Sequence, residues 1–215
     1  PQGEVVAVGN THRRGHGLNL TGLLVGSEGT LGIATEATLQ LLLKPANTRV
    51  VMAPFAQTLQ ATRAVSAIIA EDIRPSALEF MDAATVRAVN DAFDVGMPTD
   101  CQALLLVEMD GGAAVMRHKL QILTQLLDDH DAVGLRVASN PEEAKALWAA
   151  RKGAVAAYGR IAPAFYLHDC VIPRSRLSEA IAGIADIGRR FDVPVASVFH
   201  AGDGNLHPHI FYNPD

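Results

Sequence analysis

The chain is 215 residues long and 49% apolar, with 18 basic and 23 acidic side chains for a formal net charge of −5. That length can bury a sizeable core, as one large domain or two small ones, and the mild acidity argues against a binder of nucleic acid or anionic membrane, whose footprint would be basic. No apolar run approaches the roughly 18 residues of a membrane span, and Cys101 and Cys170 stand far apart with no CxxC, so neither a disulfide framework nor a zinc ribbon is implied. The composition is that of a soluble intracellular protein. The chain has no initiator Met and stops at Asn213-Pro214-Asp215, just after an apolar strand, so a partial reading frame is expected rather than a mature chain.

Residues 1 to about 46 are rich in Gly and Thr, with a strand-like Val5-Val6-Ala7-Val8 near the start and a basic cluster of His12, Arg13, Arg14 and His16 behind it. This composition suits loops in which backbone comes close to a ligand. Lys44-Pro45 is a natural boundary, because proline disfavours helix at the residue before it. Beyond it, strands are predicted over 50–55, 77–81, 103–109, 134–138, 165–172, 195–200 and 209–212, and helices over 57–72, 83–93, 113–129, 141–158 and 174–191. Asn140 ahead of Pro141, with Glu142 and Glu143 in the first turn, is a well-capped helix start. The fold class is α+β, a mainly antiparallel ferredoxin-like sheet with helices on one face. A doubly wound nucleotide fold is the rival, but no GxGxxG joins a strand to a helix.

Three stretches carry chemistry. Gly26-Ser27-Glu28-Gly29-Thr30-Leu31-Gly32-Ile33 offers backbone N–H groups and hydroxyls to one place, as phosphate-holding loops do; an ordinary glycine turn between strands is the plain alternative. His200-Ala201-Gly202-Asp203-Gly204-Asn205-Leu206-His207-Pro208-His209 reads as a tight hairpin. A turn centred on Asp203-Gly204 sets His200 and His207 directly opposite one another, with His209 on the same face and Asp203 or Asn205 able to orient an imidazole. That is a divalent metal site for zinc, manganese or iron, or else a set of histidines on a solvated face. The third stretch sets Trp148 and Arg151 on one helical face. Either the guanidinium captures a carboxylate beside the aromatic plane, or the helix is amphipathic with a snorkelling arginine. The segments 77–82 and 106–111 read as strands ending in acidic caps.

Taken together, these stretches resemble the FAD-linked oxidases of the vanillyl-alcohol oxidase class, and within them the group formed by the flavin-carrying glycolate oxidase subunit and the D-lactate dehydrogenases. The matching text is the run Leu20 to Ile33, Ala77 to Asp82, Leu106 to Gly111, Leu147 to Lys152, and Phe199 to Pro208, in family order. The resemblance implies that residues 1–46 are the tail of an FAD-binding domain and residues 47–215 most of the cap or substrate domain. It assigns Gly26, Ser27, Glu28, Gly29, Thr30, Gly32, Ile33 and Asn205 to the FAD cofactor. Arg151 is expected on the carboxylate of a small 2-hydroxy acid, and His200 and His207 on a divalent metal. Gly17-Leu18-Asn19 stands where the family usually has Gly-Tyr-Asp, so a tyrosine contact is gone. The family's Glu-His-Gly segment, which supplies a third metal ligand and a general base, is not in this sequence.

The implied activity is oxidation of glycolate or D-lactate by hydride transfer to flavin. The electrons leave to an acceptor or partner subunits of an oxidase complex, in the cytoplasm or peripheral to the inner membrane. This chain by itself is expected neither to hold FAD tightly nor to turn over. The competing readings are a non-catalytic subunit of a flavoenzyme complex and a His-hairpin metallohydrolase.

Overall fold

A computed structural model describes residues 3–9 and 17–214, so the basic cluster at 12–16 lies outside the described residues. The chain divides into two compact units, residues 1–44 and 45–215. In the first, Leu20–Leu24 forms a single short helix, α1, whose Asn19 side chain accepts a hydrogen bond from the Gly22 amide at 2.9 Å. Val5–Val8 forms no strand, and none of the unit's described side chains is buried. A strand needs a partner for its amides, and among the described residues none pairs with it.

The second unit is built on β1 (Asn47–Phe55), β2 (Ala77–Asp82), β3 (Ala103–Gly111), β4 (Arg136–Val137), β5 (Ala164–Leu167), β6 (Cys170–Val171), β7 (Val195–His200), β8 (Asn205–Leu206) and β9 (Pro208–Tyr212). The sheet runs β4-β1-β3-β2-β7-β8-β6, with β9 paired to β7 and β5, and every pairing is antiparallel. The helices are α2 (Thr58–Ala70), α3 (Ala83–Phe93), α4 (Ala113–Asp129), α5 (Pro141–Lys152), α6 (Ala154–Ala157) and α7 (Leu177–Arg190).

The α+β class with an antiparallel sheet holds, but helices cover both faces rather than one. Val51, Ala53, Phe55, Leu105, Val107 and Phe80 pack with α2, α4 and α7. Their strand neighbours Val50, Met52, Leu104, Leu106 and Met81 pack with α3, α5 and α6. The uninterrupted apolar runs Val50-Val51-Met52-Ala53 and Leu104-Leu105-Leu106-Val107 are what a strand buried on both sides requires, since a one-sided sheet would alternate with polar residues.

Local chemistry sets the helix ends. Asn140 accepts from the Glu143 amide at 2.8 Å with Pro141 in the first turn, and Arg151 and Lys152 end α5 where the helix dipole favours cations. The expected helix over 141–158 breaks at Gly153, where a Cβ would stand 2.3 Å from the Phe93 ring at the end of α3. The expected helix over 174–191 opens as a 3-10 turn, Arg174–Arg176, before α7. The expected strand over 165–172 splits into the short β5 and β6, and no described helix is long and apolar enough to cross a membrane.

Candidate active site

The site lies on the sheet face covered by α3, α5 and α6. Antiparallel pairing puts Glu79 of β2 between Leu106 of β3 and His200 of β7, and Glu108 of β3 opposite Ala77. Helix α5 docks onto these two carboxylates with side chains three residues apart. The Trp148 indole donates to Glu108 Oε2 at 2.6 Å, and Arg151 donates to Glu79 Oε2 from Nε at 2.9 Å and from Nη2 at 2.5 Å. Arg151 therefore does not snorkel: its side chain is 12% exposed and that of Glu79 is 7% exposed. A guanidinium has five N–H donors in a fixed fork. Glu79 takes the Nε side, which leaves the Nη1–Nη2 end to grip a second carboxylate.

Glu79 also reaches the histidine hairpin, where its Oε1 lies 2.7 Å from His200 Nδ1. The hairpin differs from its expected form. His200 pairs with Asn205, not His207, because the turn takes four residues, Ala201–Gly204, instead of two. The Gly202 amide bonds to Leu78 O at 3.2 Å, and the Asp203 carboxylate accepts from the Asn205 amide at 3.0 Å. A Cβ on Gly204 would lie 2.4 Å from Ile172 O, so glycine is required there. Asp203 thus builds the turn rather than orienting an imidazole. His207, two residues past Asn205, still meets His200, their ring centroids 5.5 Å apart and their planes at 87°.

His209 does not join this pair. It is buried against Tyr158 and Phe165, with neither ring nitrogen hydrogen-bonded, and burial lowers its pKa. The Tyr158 that follows α6 covers this end of β9 and closes the histidine off. Asn205 Oδ1 is likewise buried and unpartnered.

A polar network behind the pair ties β7 to α3. Asp82 caps α3 by accepting from the Thr85 amide at 2.9 Å, and its other oxygen accepts from the Ser197 amide at 2.6 Å. The Tyr158 hydroxyl bonds Thr85 Oγ1 at 2.8 Å, and burial pushes the Tyr158 pKa up. Burial outweighs the amides at Asp82 and raises its carboxyl to about 6. Between its ordinary value and that figure the folded chain keeps a proton that the unfolded chain releases. The Asp82 contribution to stability is therefore full in acid and is lost as pH rises through about 6. Asp82→Asn has no such titration, so the melting temperature of the parent minus that of the variant is expected to fall from pH 4 to pH 6 and then level off. Melting scans on both proteins across that range check this; a constant difference contradicts it.

For a metal, the hairpin offers two imidazoles whose ring centroids lie 5.5 Å apart. Each Nδ1 is turned toward a carboxylate, Glu79 for His200 and, at 3.4 Å, Asp169 for His207. That arrangement is how ligating histidines are oriented, with Nε2 left for the ion. The expectation that His209 shares their face is not met. No group of three or more His, Cys, Asp or Glu is placed to hold an ion among the described residues. These two histidines fit half of a metal site.

In the first unit, Gly26, Glu28 and Gly29 adopt positive φ of 80°, 51° and 77°. Glycine takes this left-handed backbone at little cost, whereas Glu28 adopts it as a non-glycine residue. The Ser27 and Thr30 amides are occupied by Leu24 O at 3.1 Å and Ser27 O at 2.9 Å, so the donors left for a ligand are those around them. The sequence missed Glu79 and Glu108. Their signal was a charged residue inside an apolar central strand, which burial tolerates only with a partner.

Known proteins resemble this chain over most of its length. It is 40% identical over 211 residues to glycolate oxidase subunit GlcD of Escherichia coli K12, covering 98% of the chain and 42% of that protein. It is 40% identical over 192 residues to GlcD of Bacillus subtilis, covering 89% and 41%. It is 33% identical over 217 residues to the mitochondrial D-lactate dehydrogenase [cytochrome] of Arabidopsis thaliana, covering 100% and 38%. The chain thus spans about two-fifths of the length of the curated relatives it matches. Among solved structures, alkyldihydroxyacetonephosphate synthase shares the fold with a TM-score of 0.65 at 16% identity, over 90% of this chain and 42% of that one. With residues 44–215 matching the family described as FAD linked oxidases, C-terminal domain, this chain belongs to the FAD-linked oxidases and carries their C-terminal domain.

Proposed function

We propose that this chain is the substrate-binding part of an FAD-dependent dehydrogenase that oxidises a small 2-hydroxy acid, glycolate or D-lactate, to the 2-oxo acid. The observation that carries the reading is a buried guanidinium, held by Glu79 with one fork end unused, beside a pair of imidazoles in an FAD-linked oxidase domain. The fork end takes the substrate carboxylate. That fixes one end of a molecule only a few atoms long, so its hydroxyl falls toward the face shared by His200 and His207. The Nε2 atoms of these two would hold a divalent ion, zinc, manganese or iron, which as a Lewis acid eases loss of the hydroxyl proton. FAD, assigned to the backbone of Gly26, Ser27, Glu28, Gly29, Thr30, Gly32 and Ile33 and to Asn205, supplies the acceptor for the C2 hydride. What this chain's residues do is bind the acid, orient it, and keep Arg151 and His200 from turning away.

The relatives named as subunits of glycolate oxidase support an assembly with partner subunits, to which the electrons would pass, in the cytoplasm or at the inner membrane. Of the two alternatives, the hydrolase leaves the FAD-linked family unexplained. A non-catalytic subunit is separated by one experiment: adding glycolate or D-lactate without oxygen to the full-length flavoprotein. The visible flavin band is expected to bleach within the mixing time of a manual assay. A band that both acids leave unchanged contradicts the proposal. Glycolate and D-lactate differ by one methyl, worth about 1–3 kcal/mol in a pocket, so the ratio of the two rates identifies the substrate.

A further inference from the structure

We propose that Glu79 is the positioning residue of this site, one carboxylate that aims both the substrate-binding guanidinium and the hairpin imidazole. The inference rests on the 2-hydroxy-acid reading above and adds the group that makes its two halves act together. Glu79 is 5% exposed, on a strand with sheet partners on either side. Its Oε2 accepts both Arg151 contacts and its Oε1 the His200 contact. The three side chains come from β2, α5 and β7, so no single backbone element fixes their relation. A carboxylate only accepts hydrogen bonds. His200 therefore donates from Nδ1 when it bonds Glu79, and its Nε2 is the ring nitrogen left for another partner. The same carboxylate occupies one side of Arg151 and so dictates which end of the fork faces outward. A cavity of about 530 Å³ has Glu79, His200, Arg74 and Arg174 in its lining, and Arg151 and His207 lie outside that lining.

Glu79→Gln keeps the shape but offers one acceptor and one N–H2 group, so it can serve Arg151 or His200 and must present a donor to the other. In the full-length flavoprotein this variant is expected to raise KM for the 2-hydroxy acid and to lower kcat, each by about tenfold or more. It is expected to weaken binding of oxalate, read from the flavin difference spectrum, by a similar factor, with flavin content unchanged. Arg151→Lys added to Glu79→Gln is expected to cost much less than Arg151→Lys alone, because the two act as one unit. A merely structural Glu79 would lower the melting temperature and yield, yet leave KM and oxalate affinity of the folded enzyme as they were and give additive effects; that result overturns the proposal. Should Glu79→Gln fail to accumulate, Glu79→Asp carries the test. It keeps the charge on a side chain one methylene too short to span both partners, so a loss in kcat/KM with full flavin is expected and parental values overturn the proposal. If the parent enzyme is bleached by neither acid, the 2-hydroxy-acid reading fails and the positioning role falls with it. If the parent bleaches and Glu79→Gln matches it, the positioning role alone is wrong.

Discussion

Replacing Arg151 by methionine in the full-length enzyme is expected to lower kcat/KM for the 2-hydroxy acid by roughly 10²–10³-fold, the cost of removing one partner from a buried charge pair. Most of that loss is expected in KM. The substrate carboxylate carries the same charge before and during hydride removal from C2, so its grip is felt equally by ground and transition states, and uniform binding shows in KM. A second consequence follows from Glu79, 7% exposed at its side chain and left without its cation. Breaking a buried pair from one side costs about 3–5 kcal/mol of stability, so the variant is expected to melt well below the parent. Arg151→Lys separates the two effects. One ammonium can neutralise Glu79 but cannot also present the planar fork end to the substrate. It is expected to recover most of the melting temperature and little of the KM. A lysine variant with the parental KM contradicts the assignment of Arg151 to the carboxylate.

The other large effect is expected at the hairpin. His207→Ala leaves His200 as the single imidazole of the pair. It is expected to strip the divalent metal from the full-length enzyme, measured as metal per flavin, and to lower kcat by about 10²-fold or more, while oxalate still binds through Arg151. His207 is largely buried next to the exposed Asp169 and is not part of the apolar core, so the fold is expected to survive. Parental metal content and kcat in His207→Ala contradict the metal assignment. Loss of kcat with no metal in the parent moves the two histidines from metal ligands to direct contacts with the substrate hydroxyl.

Much of the fold was legible because the strongest local signals coincide with real element ends. The 83–93 and 113–129 helices and the 195–200 strand match α3, α4 and β7 at both ends. Asp82 caps the first of these helices, and Gly112, extended at φ −72° and ψ 148°, precedes the second. What failed depended on distant partners. At the break the Phe93 ring lies where a Cβ on Gly153 would stand, a contact that sequence spacing does not show. Helices on both faces are written in the Leu104–Val107 run, whose lack of alternation marks burial on two sides. The hairpin was foreseen, but its register hung on the Asp203 contact to the Asn205 amide and on Gly202 tied to Leu78, and two extra turn residues exchange Asn205 for His207 opposite His200. Trp148 and Arg151 were correctly singled out as neighbours on one face. Glu108 and Glu79 stand out in the sequence only as charges inside apolar strands, and their pairing with Trp148 and Arg151 exists only once β2 lies between β3 and β7.

The proposed role of this domain is to present C2 of a 2-hydroxy acid to flavin. It is tested most directly by stopped-flow reduction of the full-length enzyme with D-lactate or glycolate carrying hydrogen or deuterium at C2. Flavin reduction that saturates with substrate and is slowed by deuterium is the predicted result. Absence of reduction by either acid contradicts the account.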